Sequence, residues 1–143
     1  MANQNVLPIK CTLAADSTIP AAVMLGSASI DGKSAAATTL YTVPTGKTAI
    51  VQRVALLMTS ASNVTAVAHV SVGVAAESAD IVAEITLTGF ETTGMVATLS
   101  PIALTAVSAA AAAVIKLDVD NAATTTAAED TYTFTAQLFG YLI

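Results

Sequence analysis

The stretch from Pro44 to Thr48 reads Pro-Thr-Gly-Lys-Thr, and many ATPases end their phosphate-binding loop with Gly-Lys-Thr. The full pattern of that loop, G-x-x-x-x-G-K-[ST], requires another glycine at the position that Tyr41 occupies. Pro44 also lacks the backbone N–H that would donate to a phosphate. A helix should follow Lys47 and direct its N-terminus at the anion, but the residues there are β-branched and predict a strand. The stretch therefore predicts a turn, and we expect no ATP binding.

The turn prediction gives a structural role to each of the four residues Pro44, Thr45, Gly46 and Lys47. Pro44 presets φ for the second position of a type I turn. Gly46 supplies the left-handed residue that closes a hairpin with a bulge, so its φ is expected to be positive. Lys47 is then expected to lie exposed at the start of the next strand.

The other residues that could carry chemistry lack partners in the sequence. His69 is the single histidine, and no nucleophile or carboxylate near it in the sequence would complete a catalytic set. A lone Cys11 excludes an intrachain disulfide and is typical of an inert buried thiol. The segment Asp118–Asn121 resembles the start of a calcium loop, but Ala122 stands where another ligand is required. We expect no cofactor, no metal and no enzymatic activity.

The composition argues against nucleic acid and membranes as partners and favours association with other protein subunits. The net charge is −5, and the five basic residues form no cluster, so neither nucleic acid nor an anionic membrane surface is an expected partner. Charged residues make up 10% of the chain, whereas a typical soluble domain has about 25%. A surface with so few charges favours association. The composition is that of a subunit that works within an assembly.

Two charge-free stretches, residues 54–76 and 92–115, are long enough to span a bilayer. The first contains Asn63 and His69, and the second contains Pro101 among many Thr and Ser residues. Spanning helices are instead rich in Leu, Ile and Phe, so neither stretch is expected to cross a membrane. The first residues lack a basic start followed by an apolar run, so we expect no secretory signal and synthesis in the cytoplasm of the cell that makes the protein.

Alternation of apolar and polar residues is the main pattern and predicts strands. It covers residues 64–74, 81–87, 113–119 and 131–138. In the first of these the even-numbered residues, from Val64 to Val74, are expected to line the core, with His69 on the polar face. In the last, Phe134 and Leu138 are expected to point into the core on the same face as Tyr132. Short strands separated by turn-rich loops predict an all-β protein, an antiparallel β-sandwich or jelly-roll-like fold.

The domain organisation is expected to be simple. Residues 1–143 have the length of one domain and contain no sharp linker or internal repeat. Pro8, Pro20 and Gly26 interrupt residues 1–35, which we interpret as a possible N-terminal arm with one or two short strands. The segments Ala75–Ser78, Thr88–Gly94 and Asp120–Asp130 are interpreted as loops.

Three segments resemble small bacteriophage virion proteins. They are "YTVPTGKTAIVQRVAL" (residues 41–56), "VSVGV" (70–74) and "DTYTFTAQLFGYLI" (130–143). Such proteins share a "tVPaGktaiv" hairpin and a β-sandwich or jelly-roll body, and they include capsid decoration (cement) proteins and some tail or fibre modules. The resemblance brings no catalytic residues with it.

The resemblance implies a capsid decoration protein that stabilises an icosahedral phage shell by binding the major capsid protein and its own copies. It implies a homotrimer on the capsid surface, because decoration proteins often sit on three-fold positions. A phage tail or fibre module remains an alternative, as does a non-phage surface or pilus-type subunit. The unpatterned start of the chain is the candidate shell contact: Met1, Ala2, Asn3, Gln4, Asn5, Val6, Leu7 and Pro8.

Overall fold

The computed structural model describes residues 11–13, 17–19, 22–75, 79–101, 106–108 and 113–143. This part of the chain is all-β and contains no helix, which confirms the predicted antiparallel β-sandwich class. The strands are β1 (Cys11–Leu13), β2 (Ser17–Ile19), β3 (Val23–Asp31), β4 (Ala37–Thr42), β5 (Thr48–Ala61), β6 (Val64–Ala66), β7 (His69–Gly73), β8 (Val82–Thr86), β9 (Val96–Leu99), β10 (Ala106–Ser108), β11 (Val114–Asn121), β12 (Thr124–Thr125) and β13 (Tyr132–Leu142).

Two main sheets supply the core. In the five-stranded sheet the order is β10-β5-β13-β3, and β9 pairs with β5 beside β10. In the four-stranded sheet the order is β4-β11-β7-β8. The inner faces of both sheets contribute the buried apolar side chains, as expected for two sheets packed face to face. Two short ribbons, β1-β2 and β12-β6, complete the pairings. In the described residues there is no helix with the length and apolar character needed to cross a membrane.

The long strand β13 confirms the predicted register of the C-terminal segment. Tyr132, Phe134 and Leu138 are fully buried on its inner face. The ring of Phe134 packs edge-on against the ring of Phe90, with centroids 5.9 Å apart. It packs in the same way against the ring of Tyr132, with centroids 6.2 Å apart. Edge-to-face pairs of this kind add stability beyond the area that they bury. The aromatic cluster therefore forms one end of the core.

A bulge in β5 changes which residues face the core. Val51 pairs with Gly140, and Arg53 pairs with Phe139, so Gln52 is an extra residue on β5. The buried positions of β5 consequently change from odd to even numbers. The bulge places Arg53 on the outer face of the sheet, directly opposite Phe139.

The turn from Pro44 to Lys47 does not close a hairpin, which corrects the prediction from the sequence. It joins β4 of the four-stranded sheet to β5 of the five-stranded sheet, and these two strands do not pair. The N–H of Lys47 donates to the carbonyl of Pro44 (3.0 Å), so Pro44 is the first residue of the turn rather than the second. Gly46 has a φ of 76°, which confirms the positive φ. A positive φ at the third position indicates a type II turn, not type I.

The strand predicted over residues 64–74 is in fact two strands, β6 and β7. They separate because β6 pairs with β12, whereas β7 pairs with β11 and β8. Val70 and Val72 line the core as predicted, but Ala66 and Val74 are exposed. The alternation over residues 81–87 also predicts that Ala83 faces the core together with Ile81 and Leu87. Ala83 is instead exposed in β8, which pairs with β7 through a register shift.

Loops that the sequence presents as polar connections also contribute to the core. Phe90 and Ala123 are both buried. The hydroxyl of Tyr132 donates to the carbonyl of Phe90 at 2.8 Å, which ties the 88–94 loop to the first residue of β13. Burial raises the pKa of Tyr132 to about 12, so the hydroxyl remains a donor across the physiological range.

The first 35 residues contain part of the sandwich. Within them, β3 pairs with β13 from Asp31 to Val23. At Gly26, β3 passes so close to β4 of the other sheet that a Cβ atom would overlap the carbonyl oxygen of Leu40. Only glycine allows two backbones to approach this closely. The candidate shell-contact residues 1–8 lie outside the described residues.

Candidate interaction surfaces

The Gly-Lys-Thr segment has the geometry of a connection between sheets. Strand β5 begins at Thr48, where a phosphate loop would continue into a helix. The N–H of Thr48 donates to the carbonyl of Ile143 (2.9 Å), and Ile143 returns the bond to Thr48 (2.9 Å). A backbone donor that a phosphate would need is therefore engaged in the end of the sheet.

His69 has partners that its neighbours in the sequence do not reveal. Its Nδ1 lies 3.0 Å from Oε1 of Glu84, and its Nε2 lies 3.4 Å from Oγ1 of Thr86, because β7 and β8 are adjacent. The order carboxylate–imidazole–hydroxyl also occurs in catalytic triads. A catalytic triad lies in a site that excludes water, and it also needs hydrogen-bond donors for an oxyanion. Here the side chains of His69 and Glu84 are 34% and 52% exposed on the outer face of the four-stranded sheet. The arrangement is that of a solvated polar cluster.

Asp130 organises the loop that precedes β13. Its carboxylate accepts bonds from the backbone N–H of Ala127 (2.8 Å) and the amide of Asn63 (2.8 Å). It also accepts one from the hydroxyl of Ser62 (3.1 Å). The Ala127 N–H is the largest cause of a lowered pKa at Asp130, followed by Asn63. The segment Asp120–Asp130, which the sequence predicts to be a loop, is therefore held by specific hydrogen bonds.

Lys33 strengthens the same loop from the other side. Its Nζ donates to the backbone carbonyls of Ala128 (2.9 Å) and Asp130 (2.6 Å). The loop thus joins the β3–β4 connection to the start of β13. These polar residues have a structural task that accounts for their positions.

The two sheets differ in the charge of their outer faces. On the described strands of the four-stranded sheet the acidic and basic residues are His69, Glu84, Lys116, Asp118 and Asp120, of which Asp118 is buried. On those of the five-stranded sheet they are only Arg53 and Asp31, and Asp31 is the last residue of β3. Serine, threonine, alanine and glutamine occupy most of the remaining outward positions. The outer face of the five-stranded sheet is therefore almost uncharged.

One area of this face concentrates side chains that protein interfaces favour, and we call it the Arg53–Phe139 patch. Phe139 lies between Met24 on β3 and Arg53 on β5, and Tyr141 lies opposite Ile50 one step along the sheet. The guanidinium carbon of Arg53 is 4.6 Å from the centroid of the Phe139 ring. Met24 is 54% exposed. Aromatic residues, methionine and arginine are the types enriched in protein–protein interfaces.

A smaller apolar pair lies on the same face near the start of β9. Leu57 pairs with Val96 across the two strands, and these side chains are 40% and 67% exposed. Both surfaces were missed from the sequence. The segment Leu138-Phe-Gly-Tyr141 continues the alternation of β13 and could have indicated two outward aromatic residues. Their contacts with Met24 and Arg53 depend on strand pairing, which no local pattern reveals.

Comparison with solved structures finds a chain of similar fold. No protein-family model matches the chain, and no curated protein matches it. Among solved structures, the chain is similar to a chain of the cyanophage Pam1 capsid asymmetric unit, with 22% sequence identity and a TM-score of 0.55. The similarity covers 98% of this chain and 99% of that chain. The two chains therefore share the fold.

Proposed function

We propose that the protein is a structural protein of a bacteriophage virion, and more specifically a capsid decoration protein. The observation that carries the proposal is the whole-length similarity to a chain of a cyanophage capsid. Because the coverage is nearly complete for both chains, the two are close to equal in length. This supports a small accessory subunit, since a match to one domain of a large shell subunit would cover little of that subunit.

The proposed mechanism is mechanical. Each copy binds the major capsid protein and neighbouring copies, and apolar surface buried in these contacts holds the shell against internal pressure. The protein acts without catalysis or a cofactor, on the capsid surface. The almost uncharged face of the five-stranded sheet supports such a role, because it offers a large area whose burial desolvates few charges.

Two finer parts of the proposal come from the sequence. The copies form a homotrimer, and residues 1–8, from Met1 to Pro8, contact the shell.

The test is co-sedimentation of the purified protein with phage shells from which it has been removed or deleted. The full chain is expected to pellet with the shells, and a chain lacking residues 1–8 is expected to stay in the supernatant while keeping its melting transition. Failure of the full chain to bind any shell would contradict the decoration proposal. Binding to isolated tails instead would favour the tail or fibre alternative.

A further inference from the structure

Most of the charges that the structure describes are unevenly distributed between the two ends of the sandwich. One end, which we call the turn end, contains the Pro44–Lys47 turn, the start of β5 and the end of β13. The opposite end, the loop end, contains the loops around residues 32–36, 62–63, 88–94 and 122–131. The pairings of β5, β13, β3 and β11 fix this assignment.

Acidic residues dominate the loop end and the strand ends beside it. They are Asp31, Glu91, Asp120, Glu129 and Asp130, against the single described cation Lys33. Among the other described acids, Asp80 lies toward the turn end in the β7–β8 connection, and Glu84 and Asp118 lie within strands of the four-stranded sheet. Three of the four described basic residues lie toward the turn end instead: Lys47, Arg53 and Lys116. The Arg53–Phe139 patch, on the five-stranded sheet toward the turn end, contains an arginine and no acid. Glu77, Lys10 and Asp16 lie outside the described residues.

This division bears on how copies of an acidic chain can associate. Each copy has a net charge of −5, so a contact that brings acids together is opposed by repulsion. The patch presents no acid, and its side chains are of the interface-favouring types. It is thus a surface of this chain on which a second copy can pack without placing acid against acid.

We infer that the Arg53–Phe139 patch of one copy binds the acidic loop end of the next copy. Packing the same patch against itself would place two Arg53 guanidinium groups together, whereas the loop end offers the exposed carboxylates of Glu91 and Glu129. The contact is therefore heterologous, using two different surfaces of each copy. Closed rings with an odd number of subunits, such as trimers, require this kind of contact. The inference rests on the self-association that the proposed function contains.

The experiment measures mass by light scattering on the full-length protein. The wild-type chain is expected to give a multi-chain mass near three chains, while Arg53→Glu and Phe139→Ser each give the mass of one chain. Leu57→Ser, which removes an exposed apolar side chain elsewhere on the same face, is the matched control and keeps the multi-chain mass. A cooperative melting transition for single-chain Arg53→Glu, compared at a concentration where the wild type is also dissociated, shows that the variant remains folded. Its midpoint is expected to be slightly lower than that of the wild type, because the contact with the Phe139 ring is lost.

A second pair of measurements identifies the surface on the other copy. The double variant Glu91→Lys plus Glu129→Lys is expected to give the mass of one chain. Adding Arg53→Glu to the same chain is expected to recover the multi-chain mass, because every contact in the ring then joins two reversed charges. If the lysine variant keeps the multi-chain mass, the contact does not use the loop end and the inference is overturned. A multi-chain mass for Arg53→Glu overturns it equally.

Shell binding separates this inference from the proposed function. If the wild-type protein co-sediments with shells but is a single chain in solution, the heterologous self-contact is wrong and the decoration role stands. If Arg53→Glu keeps its multi-chain mass but no longer binds shells, the patch is a shell contact and the inference is again overturned. If the wild-type protein does not bind shells, the proposed decoration function is contradicted and the inferred contact between copies is not.

Discussion

Arg53 and Phe139 face each other across β5 and β13 on the outer face of the five-stranded sheet, with the guanidinium carbon 4.6 Å from the ring centroid. The bulge at Gln52 creates this relationship, because it changes the register of β5 so that Arg53 is the residue opposite Phe139. The chain's single arginine is thereby fixed over an aromatic ring on a face that contains almost no other charge.

The stacking of Arg53 on Phe139 should contribute measurably to the stability of the single chain. A double-mutant cycle with Arg53→Ala and Phe139→Ala, followed by urea denaturation at concentrations where the chain is monomeric, is expected to give a coupling free energy of about 0.5–1 kcal/mol. High salt should reduce the coupling only slightly, because the contact is with a ring. A coupling of zero would mean that the two side chains do not interact in solution.

Phe134 is expected to be the most costly residue to truncate in β13. It is fully buried and meets the rings of both Phe90 and Tyr132. Phe134→Ala should lower the free energy of unfolding by about 3–5 kcal/mol, measured by urea denaturation. Phe139→Ala removes the same ring from a half-buried outer position and is the matched control, with a clearly smaller loss. Equal losses for the two variants would contradict the assignment of inner and outer faces.

Gly46 should be required for its backbone conformation and not for space. A Cβ atom at this position would meet no other atom within 4 Å, while φ is 76°. Gly46→Val should therefore destabilise the fold by about 1 kcal/mol or more. Gly46→Asn should lose less, because asparagine tolerates the left-handed region. If the two variants unfold at the same urea midpoint, backbone strain at this turn is not the cause.

Asp130 should make stability depend on pH in the acid range. Its pKa is lowered from the ordinary value of 3.8, mainly by the Ala127 N–H, so the folded state favours the carboxylate more than the unfolded state does. The resulting stability is fully present above pH 3.8 and is lost as the pH falls through the lowered pKa.

The variant Asp130→Asn is the corresponding measurement. At neutral pH it should melt below the wild type, and the difference in melting midpoint should shrink as the pH falls below about 3.8. Glu129→Gln, which changes the exposed neighbour in the same loop, is the control. A difference between wild type and Asp130→Asn that stays constant down to acid pH would show that the carboxylate charge is not the stabilising feature.

The fold could be predicted where one strand keeps one partner on each side. In β13 the alternation of Tyr132, Phe134 and Leu138 follows the core directly. The prediction was wrong where the pairing partner changes along a segment. Before residues 67–68 the chain pairs with β12 as strand β6, and after them it pairs with β11 as strand β7. Burial of Phe90 was also missed, because a residue in a glycine-rich loop has no periodic neighbours to indicate its direction.

The candidate surfaces were harder to predict from the sequence than the fold. The pair of His69 and Glu84 joins residues 15 apart, and Arg53 and Phe139 are much farther apart in the chain. Neither pair follows a spacing that a strand or helix imposes. The Arg53–Phe139 contact depends in addition on a β-bulge. No glycine or other residue typical of bulges lies next to Gln52, so the sequence does not predict it.

The central claim is that this chain is a component of a virion, and the composition of purified particles tests it most directly. Particles of the phage that encodes the chain, banded on a density gradient and analysed by quantitative mass spectrometry, are expected to contain it at a copy number comparable with that of the major capsid protein. A copy number of only a few per particle would indicate a tail or fibre position. Absence of the chain from intact, infectious particles would contradict the claim.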